Sequence, residues 1–466
     1  MKNISIFSDI IGSYKNDMIE MLCDLIRFPS VEAPPLDGMP FGKAIDDCLR
    51  YALKRAAQIG LKTEYVDGYA GHADIGGGKN DEKTMGILVH LDVVPPGDGW
   101  DSDPFEPVVK DGRIYGRGSN DNKVAAVSTL FAIKACLDAG VEFKKKVRVI
   151  FGCDEESGWA DIDYYKTKFN MPDFGYSPDA SFPVINAEKG VVHLELLIPM
   201  KGDDEKIIGL TGGERANVVL ERSKALISGL HKIDLSGFNA TIEEKNGDTL
   251  VVSNGLAAHG STPELGINAG AKLMLLLRKN GFKGNAIDLI CDCVGESVDG
   301  EAFGVKMSDE ASGSLTLNLG ILELTGDGDE RKIRAVLDIR HPVTRTSQEV
   351  ISAISEKAAR YGASVKPGHG HLPLYLPKDH FLVKLLIEQY EKATGLPGYA
   401  MSTGGGTYAR TMNNAVAFGG NFPDRPDDYG IHKQNEYVLI EDMLRACNVY
   451  ANVIAAIQDV KIPDRP

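Results

Sequence analysis

The chain has 466 residues, 43% of them hydrophobic and 25% charged, which suits a soluble globular protein of two or three domains with ample core. A formal net charge of -15 without a basic stripe excludes a nucleic-acid-binding surface. No uncharged apolar run approaches the roughly 20 residues of a membrane span, the start carries no signal pattern, and seven scattered cysteines read as reduced thiols in a cytosol.

From Ile10 to Phe28, the apolar residues Ile11, Tyr14, Met18, Leu22 and Leu25 recur at helical spacing, and Pro29 ends the run. A second helix is expected over Lys43–Ile59, stopped by Gly60. Gly76-Gly77-Gly78 reads as a turn. It opens no G-x-G-x-x-G fingerprint, so an NAD-binding oxidoreductase is rejected. In Met85-Gly86-Ile87-Leu88-Val89-His90-Leu91-Asp92 a short apolar run ends in a histidine, skips one residue and adds a carboxylate. Such a run suits a strand covered on both faces of a parallel sheet, with its polar end at the edge where open α/β sheets bind ligands. Alone, His90 reads as an ordinary strand-end histidine; as a ligand it offers an imidazole that Asp92 can orient.

Gly116-Arg117-Gly118-Ser119-Asn120-Asp121-Asn122-Lys123 leads into an apolar helix expected over Val124–Ala139. Asp121 is there either a plain cap or an ionised carboxylate favoured by the helix dipole. Val147–Phe151 is another strand, with Asp154-Glu155-Glu156-Ser157-Gly158 at its carboxyl end, and Asp179 follows in the loop Tyr176–Ala180. After Lys189-Gly190 the pattern becomes period-two strands with helices between them, an inserted α+β domain over 190–375. Inside it, Ser261 and Glu264 form a capping box and Pro263 suits a first turn, so His259 precedes a helix expected over Pro263–Asn280. His369-Gly370-His371 lies in a Gly/Pro-rich connector and reads as a linker rather than a metal pair. The last segment returns to α/β character, with a glycine-rich loop at Gly404–Arg410 and His432 ahead of a final helix over Ile440–Gln458. The fold class expected is α/β: a catalytic domain (1–189 and 376–466) with a mixed, mostly parallel sheet between helices, plus an inserted α+β lid domain (190–375).

His90, Asp121, Glu156, Asp179 and His432, with Glu155 to spare, could hold two divalent metals, one carboxylate bridging. Imidazole and oxygen donors without thiolate fit Zn²⁺, Mn²⁺ or Co²⁺, and two such ions acidify a shared water and polarise a carbonyl. Spacing alone does not assign these roles.

Val89-His90-Leu91-Asp92, Gly116–Asp121, Asp154–Gly158, Ser177-Pro178-Asp179-Ala180, Gly212–Asn217, Ala258–Pro263, Asp338-Ile339-Arg340, Gly404–Arg410 and the segment around His432 resemble, in one order along nearly the whole chain, the co-catalytic di-zinc metallopeptidases. That family includes aminoacylases, carnosinases and glutamate carboxypeptidases, and the likeness is strongest to its peptidase V-type dipeptidases. The resemblance implies that His90 and Asp179 hold one metal, Glu156 and His432 the other, and Asp121 bridges. It implies Asp92 as the orienter of His90 and Glu155 as the general base acting on a metal-bridging water. His259 would steady the oxyanion. Asn217, Arg340 and Gly404, Gly405 and Gly406 would grip a small peptide substrate. Zinc is the expected metal and a monomer the expected state. Two positions depart from the family pattern: relatives commonly carry a second acidic residue and a glycine where this chain has Asn122 and Val124. The same metal pair would serve an N-acyl-amino-acid deacylase or a carboxypeptidase. A non-catalytic binding protein would have lost Glu155 or a ligand, and none is lost.

Overall fold

The computed structural model describes residues 6–77, 83–425 and 429–463; residues 1–5 of the amino-terminal stretch and Gly78 of the glycine turn lie outside them. The chain divides into two compact units, one of residues 1–186, 375–401 and 407–466 and one of residues 187–374 and 402–406.

In the first unit, strands Lys62–Val66, Ala70–Ile75, Val147–Gly152, Met85–His90, Phe174–Ser177, Ala415–Ala417 and Val184–Glu188 lie side by side in that order. Only the central pairings, from Val147–Gly152 to Ala415–Ala417, are parallel; the flanking ones are antiparallel. The sheet is therefore mixed, with its parallel part in the middle. Every residue of Met85–His90 is buried, as an unbroken apolar run in a doubly covered sheet requires. The helix Lys123–Asp138 is buried on nearly all sides because it packs between this sheet and the final helix, Ile440–Ile457. Small residues such as Ala125, Ala126, Ala132 and Ala135 let the elements approach closely. The expected amino-terminal helix is two, Phe7–Ser13 and Lys15–Ile26, broken at Tyr14, while Lys43–Ile59 closes on Gly60 at φ +103° as its sequence indicates.

The second unit holds two four-stranded antiparallel sheets. One runs Thr316–Thr325, Lys332–His341, Gly190–Pro199, Ser364–His371; the other Ile207–Gly212, Arg222–Ile227, Asp248–Asn254, Ala240–Lys245. In Gly190–Pro199 the buried Leu194, Leu196 and Ile198 alternate with partly exposed neighbours, the half-buried strand pattern. The helix expected from Pro263 starts later. Pro263–Leu265 is a single 3-10 turn, and the helix Ala269–Lys279 is capped by Asn268, whose side chain accepts the N–H groups of Gly270 and Ala271. Gly266, in extended backbone, separates the two. His369-Gly370-His371 is not a linker: it ends the strand Ser364–His371.

Candidate active site

The first unit gathers His90, Asp92, Asp121, Glu155, Glu156, Asp179 and His432 at the carboxyl ends of its parallel strands. His90 closes its strand with its Nδ1 2.9 Å from the main-chain oxygen of Asp92. A carbonyl only accepts, so Nδ1 carries a proton, and Nε2 is the nitrogen that becomes a ligand once its own proton is off. That Nε2 faces Asp121 Oδ1 at 3.1 Å and Asp179 Oδ2 at 3.5 Å. The second imidazole repeats the pattern: His432 Nε2 faces Asp121 Oδ2 at 3.0 Å and Glu156 Oε1 at 3.1 Å. His432 reaches this position from a left-handed backbone conformation, φ +59°. Asp121 thus turns one oxygen to each imidazole.

Carboxylate oxygens cannot satisfy a lone pair, so in the neutral form each ring leaves its Nε2 lone pair unsatisfied unless a cation stands between nitrogen and oxygens. The dimensions suit one: two ligands about 2.0–2.1 Å from a tetrahedral cation lie about 3.3–3.4 Å apart, close to the 3.0, 3.1 and 3.5 Å measured. Ligand atoms of His90, Asp121 and Glu156, and likewise of His90, Glu155 and Asp179, fall within 4.8 Å of one another. The electrostatics point the same way. Burial and then the charge of Asp121 push the Glu156 carboxyl up to about 7. Burial and then the charge of Asp179 push Glu155 well up. Burial alone would lower His432, yet Asp121 and Glu156 hold it up at about 11. Crowded acids that resist ionising beside rings that resist deprotonation mark a pocket lacking positive charge, which divalent cations supply. The donor set therefore fits a pair of them.

Surrounding groups fix these side chains. Asp92 Oδ2 accepts the N–H of Glu156 at 3.0 Å, tying the acidic loop to the His90 strand. Asn122, 2% exposed, donates through Nδ2 to Asp179 Oδ1 at 3.0 Å and to Pro178 O at 2.9 Å, and the Asp121–Asn122 peptide is cis. Trp159 Nε1 donates to the main-chain oxygen of Glu155 at 2.9 Å. Three residues that sequence reasoning missed complete the support. Glu436 is fully buried and accepts four donors of the Arg117–Asp121 segment. Tyr408 Oη donates to Asp161 Oδ2 at 2.5 Å, and that oxygen also accepts the N–H of Cys153 at 2.7 Å, just before the acidic loop. A Cβ at Gly152 would stand 2.3 Å from the Tyr408 ring, so this tyrosine requires a glycine there. The acidic Glu436, directly before the strand Tyr437–Leu439, was the one available signal.

The second unit gathers the other predicted residues. Arg340 forks onto the fully buried Asp338 at 2.7 and 2.8 Å and donates to the Gly404 main-chain oxygen at 3.2 Å. Asn217 O accepts the N–H of Gly260 at 2.7 Å, Val218 bridges to His259, and His259 Nδ1 lies 2.6 Å from Ser261 Oγ. Ser261 packs beside Gly404, where a Cβ would meet it at 2.6 Å. Gly405 N donates to Thr403 Oγ1 at 3.1 Å; Gly406 closes the same short segment.

Two imidazoles sharing a carboxylate among further acids define a candidate two-cation hydrolase centre. Residues 86–456 match peptidase family M20/M25/M40. A protein of Bacillus subtilis (strain 168), "Putative dipeptidase YtjP", is 36% identical over 460 residues, covering 94% of this chain and 97% of that one. A Staphylococcus epidermidis protein, "Putative dipeptidase", is 32% identical over 469 residues, covering 95% and 97%. Among solved structures, the di-peptidase Dug1p from Saccharomyces cerevisiae shares the fold at a TM-score of 0.61 and 15% identity, over 97% of this chain and 98% of that one. Human carnosine dipeptidase 1 does so at 0.60 and 13%, over 97% and 99%. The chain belongs to peptidase family M20/M25/M40 and is a hydrolase acting on peptide bonds.

Proposed function

We propose that this peptidase is a metal-dependent dipeptidase that cleaves unblocked dipeptides, β-alanyl and Xaa-His ones among them, with two divalent cations, zinc first, as its cofactor. The observation that carries the reading is Asp121, which turns Oδ1 to His90 and Oδ2 to His432. The relatives' names support the substrate class. His90, Asp179 and Asp121 are assigned to one cation, and His432, Glu156 and Asp121 to the other. When bound, such a pair would acidify a water and polarise the scissile carbonyl.

The chain's own groups do the rest. Asp92 keeps the His90 ring oriented and its Nδ1 protonated. Glu155, whose carboxylate stands with His90 and Asp179, takes the water's proton on an oxygen and hands it to the departing amine. In the second unit, we assign His259 to the oxyanion, Arg340 to the substrate carboxylate, and Asn217 with Gly404–Gly406 to the substrate main chain. Arg340 suits that task because a guanidinium binds a carboxylate through two parallel hydrogen bonds. A cytosolic monomer is the setting we assign: all seven cysteines are free and buried, and among the described residues no helix is long and apolar enough to cross a membrane.

The test is a panel of free and N-acetylated dipeptides assayed after chelation and metal add-back. Free dipeptides should be cleaved fastest, and only with metal restored. Faster cleavage of N-acetylated substrates would make the enzyme a deacylase, and turnover indifferent to chelation would end the two-cation reading.

A further inference from the structure

Two imidazoles of the second unit take no part in the proposed chemistry. Ser364–His371 is the edge strand of its sheet, paired antiparallel to Gly190–Pro199 with Val191 opposite His371 and Val192 opposite Gly370. Residues two apart on a strand project from one face. His369 and His371 do so with their Nε2 atoms 3.1 Å apart and their rings 4.6 Å between centroids at 85°. His369 is exposed and His371 partly so. The register shifts between Val192 and Leu194, which leaves Gly368 and His369 opposite His193. His193 turns its own Nε2 toward Asp338 Oδ1, 3.8 Å away, rather than toward the two rings of the edge strand.

We propose that His369 and His371 form a two-imidazole site for a borderline divalent cation, Cu²⁺, Ni²⁺ or Zn²⁺, separate from the centre at Asp121. A cation about 2.0–2.1 Å from both nitrogens sees the 3.1 Å pair at an angle of roughly 98°, between square-planar and tetrahedral values. Neutral rings meet this demand by carrying their protons on Nδ1, which frees both Nε2 lone pairs; no proton leaves the protein and none is taken up. Gly370 and His371 are paired with Val192 and Val191, so the strand that carries both rings is already ordered when the cation arrives. Imidazole donors without carboxylate favour these ions over Mg²⁺ and Ca²⁺, which take oxygen ligands, and rank Cu²⁺ first.

The full chain, first saturated with Zn²⁺, is titrated with Cu²⁺ beside His369→Ala/His371→Ala, and bound copper is counted by mass spectrometry. Wild type should bind one equivalent more than the double variant, with an electron paramagnetic resonance spectrum showing two coordinated nitrogens. The single variant His369→Asn should bind that equivalent about tenfold more weakly or worse, since it loses the second tethered donor. Dipeptide turnover should be the same in all three. Equal copper binding by wild type and the double variant, with circular dichroism unchanged, would overturn the proposal, and so would a single variant binding as tightly as wild type. Neither result bears on the Asp121 centre, which shares no residue with this site.

Discussion

The buried carboxylate of Glu436 accepts the N–H of Asp121 at 3.0 Å, across 315 residues of chain. The same oxygen takes the N–H of Asn120 at 2.8 Å, and the other takes Arg117 Nη1 at 2.6 Å and Gly118 N at 3.0 Å. One side chain therefore shapes the loop that presents the shared aspartate. Glu436→Ala should destabilise the fold by about 3–5 kcal/mol, because it strands the buried Arg117 charge. It should also weaken cation binding by about 10–100-fold. Urea denaturation and calorimetric zinc titration read the two effects; Glu436→Gln, which keeps the shape, should lose less of each.

Glu155→Gln should lower kcat by about 10²–10⁴-fold, the usual worth of a positioned base. Its cation content should stay at the wild-type level, since the ligand set assigned here does not include it. Loss of both together would make Glu155 a ligand instead.

Arg340 holds Asp338 through a two-point fork. Arg340→Lys keeps a charge but cannot make that fork. With Arg340 assigned to the substrate carboxylate, the variant should raise KM about tenfold and change kcat less. Steady-state kinetics on one dipeptide decides it, and a fall in kcat alone would contradict the assignment. Arg340→Ala leaves the buried Asp338 short of its partner and should cost about 3 kcal/mol or more in stability.

His72 provides a stability test away from the centre. It is 5% exposed, its Nδ1 lies 3.0 Å from Tyr165 Oη, and burial with the nearby Arg148 charge pushes it down to about 4. An unfolded histidine titrates near pH 6.5. The folded value is the lower one, so the folded state binds fewer protons between the two. The contribution is intact above about pH 6.5 and is lost as pH falls toward about 4, by at most about 3 kcal/mol. Relative to His72→Gln, wild-type stability should fall across that window, as read from urea midpoints; a constant difference would contradict this.

Much of this was legible in the residues. The apolar run of Met85–His90 announced a covered strand, and the polar groups ending successive strands meet at one sheet edge because parallel strands place their carboxyl ends together. Which of the candidate side chains face each other was not legible from spacing, since it depends on how loops 31 and 276 residues apart fold back. Glu436 and Tyr408 escaped notice for a related reason: Glu436 accepts main-chain N–H groups and Tyr408 donates to Asp161, both across long stretches of chain, and such bonds leave no periodic trace. The capping box at Ser261 and Glu264 failed because Gly266 and the better cap Asn268 delay the helix. His369 and His371 were misread because Gly and Pro around them suggested a connector, whereas an edge strand tolerates both.

The central claim is that Asp121 is shared between two cations. Equilibrium dialysis of the purified chain against Zn²⁺, with bound metal counted by mass spectrometry in wild type and Asp121→Asn, tests it most directly. Two zinc ions per wild-type chain and fewer than one in a folded Asp121→Asn are predicted. A wild type that saturates with one ion at its acidic centre, or a variant that keeps both, would contradict it.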